Sequence, residues 1–171
     1  MGFLFLDMSD DIFKVGEWVV YPSHGVGKLE GTETLEIADE KMEFYIISFE
    51  KSNLTLKIPK QKAVFAGMRK ISSKNDLAEV FELLQHKIRK KNAMWSKRAQ
   101  EYETKINSGS PVAIAQVIRE LYKEGGENSL SFSEKQVYQQ AMGRLAREIS
   151  VIEDIDELEA VRRLEMLLQA A

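Results

Sequence analysis

No cysteine occurs in the 171 residues, proline occurs three times and histidine twice. The first absence excludes a disulfide framework and any thiolate-held zinc or iron–sulfur site, and it suits a reducing cytosol. The two histidines offer little imidazole chemistry. His24 follows Tyr21-Pro22-Ser23 in a turn, His86 follows a helical stretch, and neither has carboxylates at metal-ligand spacing. No apolar run approaches the about 20 residues that span a bilayer. The opening Met1-Gly2-Phe3-Leu4-Phe5-Leu6 lacks the basic start and the length of a signal peptide. Gly25-Val26-Gly27 stands without the Lys-Ser/Thr of a phosphate loop, and no local motif supports a nucleophile with its base. The expectation is a cytoplasmic protein without metal or cofactor, and not an enzyme.

What the chain has is charge in an uneven order. Its 24 Lys and Arg against 27 Asp and Glu sum to −3, which argues against coating nucleic acid by bulk charge. Between Glu50 and Asp76 there is no acid, while Lys51, Lys57, Lys60, Lys62, Arg69, Lys70 and Lys74 fall there. Between Glu82 and Glu101 acids are absent again, beside Lys87, Arg89, Lys90, Lys91, Lys97 and Arg98. The last stretch inverts this: Glu148, Glu153, Asp154, Asp156, Glu157, Glu159 and Glu165 face only Arg162 and Arg163. A basic run around an aromatic residue can hold nucleic acid through phosphate contacts plus stacking or wedging. The same composition also fits a solvated linker and helix start. Trp95 sits in the second run and carries both readings, as a core residue atop the stripe Trp95–Ala99–Tyr102–Ile106 or as a wedge.

The hydrophobic period changes once along the chain. From Phe13 to about Arg69, short runs such as Trp18-Val19-Val20-Tyr21 and Leu54-Thr55-Leu56-Lys57-Ile58 are punctuated by turn residues. A polar hairpin tip is expected at Ala38-Asp39-Glu40-Lys41, and the spacing predicts a small antiparallel β-barrel. After Ser72-Ser73 the spacing becomes helical, with Leu77, Val80, Phe81, Leu84 and Ile88 on one face. Ser110-Pro111 reads as a capped helix start, with an end expected at Gly125-Gly126. Ser131…Glu134 reads as a capping box for a helix through Ile149, and Asp154 as the start of the last. The fold class is α+β. Residues 1–12 form a tail, 13–72 the β unit, and 73–171 an all-α unit of about five helices.

The run Phe13-Lys14-Val15-Gly16-Glu17-Trp18-Val19-Val20-Tyr21-Pro22-Ser23-His24-Gly25-Val26-Gly27 resembles the opening of the CarD/CdnL family of bacterial transcription regulators. Trp95-Ser96-Lys97-Arg98, Ala115-Gln116-Val117-Ile118-Arg119-Glu120-Leu121 and Leu130-Ser131…Glu134-Lys135 resemble its helical half, in order. The resemblance implies a Tudor-like domain that binds the RNA polymerase β subunit and a helical domain on promoter DNA. The helical-domain Trp would wedge into the minor groove at the upstream edge of the transcription bubble and stabilise the open complex. Trp95 matches that residue, and Lys97, Arg98 and Lys135 match basic positions near it, with Lys90 and Lys91 upstream. Gln100 stands where members often carry another base. Lys57, with Thr55, Leu35 and Ile37, matches the polymerase-contacting region, Leu35 replacing the Arg of some members. A monomer is expected. A second reading keeps only the barrel as a protein-docking module without a DNA role.

Overall fold

The computed structural model describes residues 12–88 and 93–171. The punctuated first half folds as β1 (Trp18–Tyr21), β2 (Gly25–Ile37), β3 (Glu40–Phe49), β4 (Leu54–Pro59) and the short β5 (Arg69–Lys70). All neighbours are antiparallel, in the order β4-β3-β2-β1-β5. The expected barrel does not close, because β4 and β5 lie at opposite edges with no ladder joining them. The hairpin tip is also tighter than expected. Ala38 and Asp39 take φ of 51° and 65°, so two residues make the turn and Glu40 already pairs with Ile37. Val19, Leu29, Tyr45, Ile47, Phe49 and Ile58 form the inner face. Gly27 is required there, since a Cβ would lie 2.6 Å from Ile47 Cγ2 and 2.7 Å from Phe49 Cε1.

A single-turn α1 (Lys60–Ala63) precedes β5. The second half is α2 (Lys74–Gln85), α3 (Trp95–Asn107), α4 (Pro111–Leu121), α5 (Phe132–Glu153) and α6 (Glu157–Gln169). Serine hydroxyls start three of them. Ser73 and Ser131 accept from the N–H groups of Asp76 and Glu134, whose carboxylates answer in kind, and Ser110 accepts from Ala113. Two ends differ from expectation. α4 stops at Leu121, before the glycine pair, because Tyr122 turns extended. α5 continues to Glu153, and Asp154, at φ 53°, closes it rather than opening α6, whose cap is Asp156. Leu77, Leu84, Ile106, Ile118, Leu145, Ile149 and Leu164 fill the helical core. Buried Arg119 donates to the carbonyls of Leu84 (3.3 Å) and Leu168 (3.4 Å), near the C-terminal ends of α2 and α6. Helix C-termini are favourable places for a cation, although desolvation lowers the guanidinium's pKa.

One guanidinium joins the two units. Arg69 Nη1 and Nη2 donate to the two carboxylate oxygens of Glu148 on α5 at 2.7 and 2.9 Å. Its Nε and Nη2 also donate to the carbonyl of Gly109, between α3 and α4. The Ser72 N–H and hydroxyl complete the Glu148 shell at 3.0 and 2.7 Å. Nearby, Arg144 donates to the carbonyls of Pro22 and Ser23 at the β1–β2 turn. Gly109 packs on Pro22 so closely that a Cβ would stand 3.2 Å from the Pro22 Cα, and its φ of 74° also favours glycine. The Glu148 side chain is 4% exposed, so its loss leaves donors stranded rather than returned to water. Glu148→Gln is expected to cost about 2–3 kcal/mol, read as a lower urea midpoint. It should also raise protease cleavage in the 70–73 connection, while Glu165→Gln, on the exposed face of α6, should do neither.

Candidate nucleic-acid interface

The first turn of α3 gathers the aromatic and basic residues that the sequence singled out. Trp95 is half-buried, one side of its ring resting on the helical core. The Arg98 guanidinium lies 5.6 Å from the Trp95 ring centre and 5.6 Å from that of Tyr102, and donates to the Tyr102 hydroxyl at 3.0 Å. Spacings of three and four residues along a helix put these side chains on one face. The Trp95 and Tyr102 rings stand 6.2 Å apart. Trp95 is therefore anchored on the core while part of its surface stays in solvent. Arg98 is correspondingly a brace for the indole, half-buried, rather than a freely extended cation.

Around this brace, Lys97 and Gln100 are exposed on α3. Met94, 79% exposed, precedes the helix and supplies no side-chain cap. The first-turn N–H groups of α3 thus lack the capping hydroxyl seen on α2, α4 and α5, and an uncapped helix N-terminus beside a lysine favours an anion. Lys135 is half-buried in the first turn of α5. Lys90 and Lys91 lie outside the described residues.

The other basic stretch has a different use. Lys51 pairs with Glu157, Lys57 with Glu33, Lys60 with Glu43 and Arg69 with Glu148. Much of the charge that looked available for phosphate is engaged within the fold. The acidic end is likewise partly neutralised, by Lys51 and Arg69 of the sheet unit. Among the described residues no group of three or more His, Asp or Glu could hold a metal, and no helix is long and apolar enough to cross a membrane.

The sheet puts the four residues that the resemblance assigns to polymerase contact on one face, spread along β3 rather than clustered. Leu35 pairs with Met42, Ile37 with Glu40, Thr55 with Ser48 and Lys57 with Ile46. Even-numbered residues of β3 share one side, so all four lie on the face opposite Tyr45, Ile47 and Phe49. Thr55, Ile37 and Lys57 are exposed and Leu35 is half-buried. Lys57 reaches Glu33 at 2.7 Å but keeps 51% of its side chain in solvent. The junction residues Arg69, Ser72, Gly109, Arg144 and Glu148 were not among those the sequence singled out. Only the isolation of Arg69 among lysines, outside any helix, could have hinted at a geometric role.

Residues 13–72 match the family described as CarD-like/TRCF RID domain, and residues 79–165 match CarD, C-terminal domain. The chain is also 32% identical over 146 residues to YdeB of Bacillus subtilis (strain 168), described as a candidate transcription factor. That alignment covers 85% of this chain and 95% of the relative.

Burial raises the Tyr102 phenol's pKa above its ordinary value, and Glu120 beside it adds to the shift while Arg98 opposes it. Tyr138 is raised as well, chiefly by burial. The unfolded phenols ionise first, so their stabilisation is complete below pH of about 10 and is lost as pH rises through the higher folded values. Each tyrosine steepens the alkaline loss by up to about 1.4 kcal/mol per pH unit, and Tyr102→Phe should flatten it in urea melts. In a Trp18→Phe background, Arg98→Ala should lower the fluorescence anisotropy of Trp95 while retaining the helical circular dichroism.

Proposed function

Since the chain belongs to the CarD family of transcription regulators, we propose that it binds the RNA polymerase β subunit through the outer sheet face and stabilises the promoter open complex with Trp95. The contact to DNA is at the upstream edge of the bubble, from the minor-groove side. The protein acts as a cytoplasmic monomer and catalyses nothing.

The observation that carries this reading is the setting of Trp95, whose indole is braced by Arg98 and accessible beside an uncapped helix start. A wedge must be rigid to be useful. Unstacking a base step costs a few kcal/mol, and a ring already held in place adds little ordering cost to that. Lys97 and Lys135 supply phosphate contacts from the first turns of α3 and α5. No chemistry is needed, because a protein that binds the open complex better than the closed one shifts the equilibrium by its differential affinity. Docking on polymerase raises the local DNA concentration, so few phosphate contacts are sufficient despite the net charge of −3.

Trp95→Ala should retain polymerase binding and shorten the open-complex lifetime by at least several-fold. An unchanged lifetime with a lower melting temperature would return the indole to a purely structural role. Lys57→Glu, which places two acids opposite each other with Glu33, should weaken β-subunit capture while leaving helical content intact; undiminished capture would sink that assignment. In both experiments the affinity for promoter DNA should fall with salt at a log–log slope of about −0.9 per phosphate contact.

A further inference from the structure

We infer that Phe132 is a second aromatic contact to the promoter strand, resting on the same DNA surface as Trp95; this deepens the reading above and depends on it. Phe132 opens α5 and is 76% exposed, an uncommon state for a phenylalanine on a helix. Its position follows from the local cap. Ser131 and Glu134 close the capping box around it, which fixes the backbone while leaving the ring outside.

A chain of contacts puts the ring at the Trp95 end of the helical unit. The Trp95 ring lies 6.2 Å from that of Tyr102, and the Tyr102 phenol neighbours Glu120 near the end of α4. Just beyond that end, Lys123 pairs at 3.3 Å with Glu134 in the first turn of α5. α3 also packs directly on α5. Trp95 at the start of α3 and Phe132 at the start of α5 therefore lie at the same end of the helical unit.

The chemistry around Phe132 selects the occupant. Lys135 lies one turn along the same helix, half-buried, and Met94 is exposed beside Trp95. An apolar ring with a lysine one turn away suits a sugar–phosphate strand whose bases are partly unstacked, since every base offers a π-face and every linkage a charge. Both residues open helices at the end of the unit where the wedge is proposed.

The test measures open-complex decay with holoenzyme and a promoter fragment, using the full chain and the variants Phe132→Ala, Phe132→Tyr, Lys135→Ala and Trp95→Ala. Phe132→Ala is expected to speed decay about threefold to tenfold with an unchanged salt slope, and Phe132→Tyr to restore the parent rate. Lys135→Ala should instead reduce the salt slope by about one contact. The ring is exposed, so thermal unfolding should be the same in Phe132→Ala and the parent. Parent-like decay in Phe132→Ala, with Trp95→Ala still fast, would overturn this inference and leave the proposed function standing. Parent-like decay in both would overturn the two together.

Discussion

The Arg69–Glu148 pair is the interaction on which the arrangement of the molecule depends. It takes a cation from the last, two-residue strand and an acid from the C-terminal part of the longest described helix, and it ties both to the connection at Gly109. Each unit has its own apolar core, so neither needs the other to bury its side chains. What the pair supplies is direction. A bidentate guanidinium–carboxylate contact has a preferred plane, unlike a lysine contact, and the Ser72 backbone and hydroxyl restrict that plane further.

Charge has two separate uses along this chain. In the sheet unit, cations pair with acids close by or across the junction, and these contacts organise structure. At the start of α3, Lys97 stands in solvent near Trp95, and at the start of α5 the half-buried Lys135 lies one turn from Phe132. The distinction is invisible in the net charge. It also explains how one indole can pack on the core and still meet solvent, because Arg98 covers part of the ring without removing it from solvent.

Local signals were legible in the sequence and distant ones were not. Ser73, Ser110-Pro111 and Ser131…Glu134 announce helix starts because a cap is decided within four residues. The helical stripes were legible for the same reason, and so was the resemblance carried by Trp95 and its neighbours. The barrel failed to close because edge pairing depends on strands far apart in sequence. The hairpin at Ala38-Asp39 was legible in its place but not in its two-residue length, since neither residue advertises a positive φ as glycine does. Glu148 looked like one acid among several at an acidic end; its partner is 79 residues away. Phe132 could have been noticed, because a large apolar residue immediately after a capping serine begins a helix where burial is least assured.

α5 runs unbroken from Phe132 through Arg144 and Glu148 to Glu153, so one rod carries both the junction and the tip. From Arg144 back to Phe132 the arm is about 18 Å long at 1.5 Å per residue. An angular error of about 10° at the junction moves the tip by about 3 Å, close to one base step. The junction thus sets an angular tolerance. Several directed hydrogen bonds onto one carboxylate can hold an orientation that finely, where a flexible linker would leave the tip to wander over neighbouring steps.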